Sequence, residues 1–183
     1  RLDTQYREWV RQRMFASGAN DSLADALAAR GFRLVLPNVY RVLSDDSIFR
    51  FKNPYPDPGT LQRALLVTWI ADGGLPTATA LEAWRREAGG RYYDPPQDVL
   101  AEGLRFDTVE TGGRTALEMR GVWQDRAEFP AAGPFIARAV PCPEQQRVYY
   151  MDAWVYAPNQ DKYPYVIQME TLLDSFRCAR GER

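Results

Sequence analysis

Two strand–turn–strand patterns follow one another in the second half of the chain, and they limit its fold more than any other feature. Residues 104–110 and 114–123 are strand-like and flank Thr111-Gly112-Gly113. A Gly-Gly pair supplies the positive φ angles that a tight hairpin turn requires. Residues 135–140 and 147–156 repeat the arrangement around Pro141-Cys142-Pro143, and Ala157-Pro158-Asn159 ends it. Hairpins of this kind join antiparallel neighbours, whereas parallel strands need long crossovers.

The first half extends the same sheet. Residues 32–36 read as a strand stopped by Pro37. Residues 39–43 and 47–52 flank a Ser44-Asp45-Asp46 turn, best read as solvated rather than as a metal site. Three prolines make 53–59 a loop, because proline cannot donate to a ladder. Residues 61–70 are apolar on both alternating faces, which predicts a strand covered on both sides, closed by Asp72-Gly73-Gly74.

Helical spacing appears at both ends and once between. Leu2, Tyr6, Trp9, Val10 and Met14 predict a helix over 2–15. Asp21 or Ser22 caps a short second helix ending at Gly31. Thr77 or Thr79 caps a third, which Gly89-Gly90 is expected to stop, and residues 97–103 read as one or two further helical turns. Val166, Met169, Leu172, Leu173 and Phe176 form the stripe of a last helix over 162–177, with Pro164 in its first turn. The expected fold is α+β: an antiparallel twisted sheet of meanders and hairpins packed with helices, including an N-terminal and a C-terminal one. Residues 1–31 read as a helical extension and 32–183 as a single domain. A chain of 183 residues can bury a core of that size without metals or disulfide staples.

Several function classes are disfavoured by composition. The chain has no histidine, which removes the Ser-His-Asp triad, the Cys-His dyad and histidine metal sites. Lys+Arg number 23 against 24 Asp+Glu, with no basic block, so nucleic acid is not an expected partner. No apolar run is long enough to span a membrane. The Gly pairs lack a phosphate-loop pattern, and no cofactor is indicated. Cys142 and Cys178 are wrongly spaced for a CxxC site, and two ligands do not make a zinc site. They form either one disulfide or two independent thiols; buried free thiols are the simpler reading.

Face sorting singles out one candidate surface. In the strand over 114–123, Leu117, Met119, Gly121 and Trp123 share a core-like face, opposite Ala116, Glu118, Arg120 and Val122. In the strand over 147–156, Tyr150, Asp152, Trp154 and Tyr156 share the face opposite Tyr149, Met151, Ala153 and Val155. If those polar faces align, Glu118, Arg120, Tyr150, Asp152, Trp154 and Tyr156 make a ligand or partner patch, since arginine forks bind anions and aromatics give flat amphipathic area. Alternatively a helix covers the surface and Arg120 pairs with Glu118 or Asp152, as aromatic stripes usually pack. A Glu118–Asp152 acid–base pair would allow carboxylate-based hydrolysis of glycans.

Leu36-Pro37-Asn38-Val39-Tyr40, Glu118-Met119-Arg120-Gly121-Val122-Trp123, Gly133-Pro134-Phe135-Ile136 and Val155-Tyr156-Ala157-Pro158, followed by the helix with Glu170 and Ser175-Phe176, resemble in order an uncharacterised lipoprotein family found mainly in Bacteroidetes. The resemblance covers roughly residues 30–178 and corresponds to that family's C-terminal half. It implies an exported protein of the periplasm or outer membrane, anchored by a lipid outside this chain, and no activity. The chain begins at Arg1 without Met or signal peptide and reads as a mature or truncated product. More loosely, the closing helix and meanders are similar to PsbP-like accessory domains. In an extracytoplasmic setting disulfides persist, which puts a Cys142–Cys178 bridge on equal footing with free thiols. The expected function is a non-catalytic envelope domain binding a protein or cell-surface partner. The alternatives are the carboxylate hydrolase and a structural subunit that docks its Leu2–Tyr6–Trp9 stripe elsewhere. Sequence leaves the oligomeric state open.

Overall fold

The computed structural model describes residues 2–45, 47–53, 55, 59–71 and 74–179. Asp46 of the expected turn, the prolines of the 53–59 loop and the Asp72-Gly73 strand end lie outside the described residues. In order, the elements are α1 (Leu2–Met14), α2 (Asp21–Ala29), β1 (Phe32–Arg33), β2 (Arg41–Asp45), β3 (Ile48–Asn53), β4 (Gln62–Ala71), α3 (Ala78–Tyr92), β5 (Gln97–Val99), β6 (Arg105–Thr111), β7 (Arg114–Asp125), β8 (Ala132–Cys142), β9 (Arg147–Tyr156), α4 (Tyr163–Asp174) and β10 (Arg177–Cys178). The fold is α+β, as the sequence predicts.

The main sheet runs β2-β3-β4-β9-β8-β7-β5, and β6 shares the outer edge of β7 with β5. Every pair is antiparallel. Gly112 and Gly113 have φ of 64° and 74°, which closes the β6–β7 hairpin. Gln146, at φ 52°, turns β8 into β9. α4 and α2 cover one face, where Leu27, Leu65, Met151, Ile136, Leu172 and Phe176 form the larger core. α3 covers the other, against Leu66, Met119, Ala137, Tyr150 and Trp154. This two-sided cover explains the unbroken apolar run of β4, which is central between β3 and β9.

Three local expectations are corrected. Only Phe32–Arg33 is strand, paired with β10 in a separate two-stranded sheet; beyond it the Val35 N–H donates to Ser175 Oγ at 3.0 Å rather than to a ladder. Gly89-Gly90 does not stop α3, which continues to Tyr92. Gly89 serves packing there, since a Cβ would lie 2.5 Å from both the Gln97 carbonyl oxygen and an Arg85 nitrogen. Residues 97–99 form β5, not a helical turn, because they pair with Trp123, Gln124 and Asp125 at the end of β7.

The motif glycines have packing roles. A Cβ on Gly121 would lie 2.7 Å from Leu104 and 2.9 Å from the Phe135 ring. At Gly133 it would lie 1.9 Å from the Val155 carbonyl oxygen, which also accepts a hydrogen bond from the Trp123 indole at 3.2 Å. Backbone cannot yield as a side-chain tip can. Gly133→Ala is therefore expected to destabilise the fold by about 1–3 kcal/mol, with a matching fall in the urea midpoint. An unchanged midpoint would show that β8 and β9 are not so close there.

Candidate functional site

Strand register decides the fate of the surface anticipated from sequence. Glu118 pairs with Arg138, and Arg138 with Met151; Met119 pairs with Ala137, and Ala137 with Asp152. Directly opposed residues share a face. Glu118 and Arg120 therefore face α4, while Tyr150, Asp152, Trp154 and Tyr156 face α3. The six residues form no common patch. The parity of β8, which lies between the two strands, sets this.

On the α4 side the charges form a chain. Arg120 donates to Glu118 and to Glu170, each at 2.5 Å. Arg138 donates to Glu118 at 2.6 Å and to Asp174 at 2.7 Å. Arg7 of α1 donates to Glu170 at 2.6 Å. Burial alone would raise the Glu170 carboxyl, but the bonds from Arg120 and Arg7 outweigh it and hold the group below the ordinary glutamate range. A depressed folded value gives stability that is full above the unfolded value of about 4.3 and is lost as pH falls through the folded value. Glu170→Gln is expected to flatten this acid limb in urea midpoints taken from pH 6 to pH 3. Parallel profiles for variant and parent would refute the coupling.

On the α3 side lies a sealed ion pair. Arg85 Nε is 2.8 Å from Asp152 Oδ2, with both side chains at 0% exposure. Tyr93 donates its hydroxyl to the same oxygen at 2.6 Å, and Arg85 donates to Gln97 Oε1 at 2.7 Å. The guanidinium lies 4.7 Å from the Phe135 ring centre. Burial raises the Asp152 carboxyl, with Arg85 and Tyr93 pulling it back. Trp154 packs edge-on against Tyr93 and Trp123, Tyr156 packs on Trp123, and Tyr150 packs on Trp84. These aromatics are core, and neither carboxylate lines an open cleft. Glu118 and Asp152, on opposite faces, cannot act as one acid–base pair.

Cys142 and Cys178 are joined in a disulfide, with Cα atoms 6.0 Å apart, tying the end of β8 to β10. Glu144 lies close to both sulfurs, but bridged sulfurs are not thiolate ligands. Gln145 beside them donates to the Gly31 and Ala179 carbonyls at 2.7 and 2.6 Å. Ser175 caps α4 by donating to the Leu172 carbonyl at 2.6 Å.

The open surface is elsewhere, between α1, α4 and the paired ends of β3 and β4. A groove of about 660 Å³ there is lined by Arg13, Met14, Val39, Asn53, Tyr55, Leu61, Arg63, Tyr165 and Gln168, among others. It continues through Arg13, Tyr165 and Gln168 into a shelf of about 260 Å³ formed with Tyr6, Trp9, Val10 and Pro164. Tyr6 stacks on Trp9 and on Tyr163, and Arg13 lies 4.7 Å over the Trp9 ring. Leu2 is 83% and Trp9 47% exposed.

Arg63 is the charged group set deepest in this groove. It donates to Gln168 Oε1 at 2.9 Å and to the Tyr55 carbonyl at 2.6 Å. Its Nε is sealed from water without an acceptor. Burial draws its pKa down. The neighbouring Tyr40 hydroxyl is pushed up to about 12 by burial, so it is neutral and offers no counter-charge. Sequence reasoning missed this site. Its walls come from segments more than a hundred residues apart, and Arg63 sits in a strand whose apolar run draws attention away from it.

The fold and groove define an α+β domain with helices on both sheet faces and an open, aromatic and basic surface. Residues 96–175, from β5 through α4, match the family model of a domain of unknown function, DUF4837, so this part of the chain is similar to an uncharacterised family. No curated protein matches the sequence. Among solved structures, the fold is similar to the Saccharomyces cerevisiae Ran-binding protein Mog1p, with a TM-score of 0.51, 11% identity, and coverage of 81% of this chain and 90% of that one. A point mutant of Mog1 aligns equally well, at TM-score 0.51 and 11% identity, covering 81% of this chain and 91% of that one. At this identity the likeness is one of fold.

Proposed function

We propose that this chain is a non-catalytic binding domain of an exported, envelope-associated protein, and that it engages a protein or cell-surface partner through the α1–α4 groove. The observation that carries the reading is the groove itself: concave, rimmed by exposed aromatics, and holding an arginine bonded only to neutral groups among the described residues. Tyr, Trp and Arg are the residues enriched at interface hot spots. The Cys142–Cys178 bridge supports an oxidising compartment, and the lipoprotein resemblance supports a lipid anchor outside this chain. One structural neighbour is titled a Ran-binding protein; its partner does not carry over at 11% identity.

Affinity capture from native membranes with the full-length protein tests the reading. Parent bait is expected to retain a partner that Trp9→Ala bait loses. Equal retention would move the interface off the groove. A second reading, a structural subunit docking α1 into a larger assembly, is favoured by the exposure of Leu2 and Trp9. It predicts that a Leu2→Ser bait, altered outside the groove lining, loses the same partner.

A further inference from the structure

We infer that Arg63 is the anchor of a carboxylate subsite, and that the groove takes an acidic segment of a partner protein whose apolar flank lies on the Trp9–Tyr165 shelf. This rests on the reading of the groove as the binding surface and names the chemistry it recognises. The first ground is a contrast among arginines. Arg7, Arg85, Arg120 and Arg138, which tie helices to one another or to the sheet, each meet a carboxylate within 2.8 Å. Arg63 ties β4 to α4 in the same manner, yet among the described residues its acceptors are an amide and a carbonyl. A guanidinium has five N–H donors, and this one spends few of them. A partly desolvated cation without an anion is a cost, which a bound carboxylate would offset.

The second ground is the charge of the surroundings. No acidic residue is among the described groove lining, and Arg13 supplies a second cation on the rim, in a chain of net charge −1. The third is the choice of anion. The amide and carbonyl acceptors around Arg63 would repel the extra charge of a phosphate dianion, whereas a monoanionic carboxylate matches one guanidinium fork. The groove is also open lengthwise and continues onto the aromatic shelf, which suits a peptide segment rather than a compact free acid.

The test is a proton–nitrogen NMR titration of the intact chain with two pools of capped hexapeptides, one with a fixed central glutamate between apolar or proline flanks, the other with glutamine there. Sodium propionate and inorganic phosphate are the further arms. The glutamate pool is expected to shift the Arg63 Nε–H and Trp9 indole signals and to bind at least about tenfold tighter than the glutamine pool. Arg63→Gln is expected to abolish that ratio, and Arg63→Lys, which keeps charge but not the fork, to leave it intermediate. Equal binding of the two pools would overturn the carboxylate subsite while leaving the groove as the interface. Absence of any shift at the groove with either pool would overturn both. Propionate binding as tightly as the glutamate pool would reject the protein segment, and phosphate displacing that pool would reject the carboxylate. The comparison of the pools on the parent protein stands even if the Arg63 variants fail to fold.

Discussion

Asp152→Asn is expected to lower the unfolding free energy by about 3–5 kcal/mol, because it breaks a fully buried ion pair. The carboxylate faces Arg85 at 2.8 Å with neither side chain exposed. Asparagine keeps the shape and can still accept from Tyr93, but it leaves a guanidinium uncompensated between Phe135 and Tyr93. Arginine cannot shed its charge in a protein. Arg85→Met should cost less, because the stranded aspartate can take up a proton, and burial already raises its carboxyl. The sign of the pH response follows. With Arg85 gone, the folded value of Asp152 lies still further above the unfolded one, so the folded state binds the extra proton. That variant should be best preserved at low pH and lose stability as pH rises through the folded value. Pairing Arg85→Met with Asp152→Leu should recover much of the loss, since an apolar pair of similar volume removes both desolvation costs. Urea unfolding of the three variants at two pH values reads all of this. A cost below about 1 kcal/mol for Asp152→Asn, the range of exposed pairs, would contradict the burial described.

Replacing Cys142 and Cys178 together by serine is expected to cost roughly 4 kcal/mol, the chain-entropy value for a bridge closing a loop of this size; the cysteines are 36 residues apart in sequence. The bridge closes β9 and α4 into one loop anchored at the end of β8 and pins β10, whose pairing with β1 rests on two residues a side. Without it, the closing segment is held by Phe176 in the core, by the Gln145 amide bonds and by the Ser175 cap. Adding reductant to the parent should reproduce the loss in urea midpoint and have no effect on the double variant. Two free thiols found by mass spectrometry in never-reduced protein would remove both the bridge and its support for an oxidising compartment.

Local chemistry made much of this architecture readable in advance. The Gly112-Gly113 turn, the apolar run of β4 and the α4 stripe each depend on neighbours in sequence, and each element is present. A residue type with two physical uses is ambiguous in sequence. Gly89 could end a helix or let Arg85 and Gln97 approach its backbone, and only the tertiary contact shows which. β5 is too short to declare itself and exists because β7 offers a free edge at Trp123–Asp125. The expected patch failed for a deeper reason. Alternation sorts faces within a strand, but the relative parity of β7 and β9 is set by β8, and no residue in either strand encodes it. Arg63 was invisible on the same account, because its meaning lies in which side chains are opposite it.

The attachment of α1 has a consequence for how the groove would be detected at work. Of its thirteen residues only Val10 is buried; Met14 packs partly against the core, and the ties to α4 include the Arg7–Glu170 pair, the Tyr163–Asp3 hydrogen bond and the Tyr6–Tyr163 stack. A helix so lightly held opens locally at far less cost than global unfolding. α1 is one wall of the groove, so local opening of that helix would open the cavity. Anything seated against both walls selects the closed form, so slowed amide exchange confined to α1 would report occupancy before the occupant itself is known.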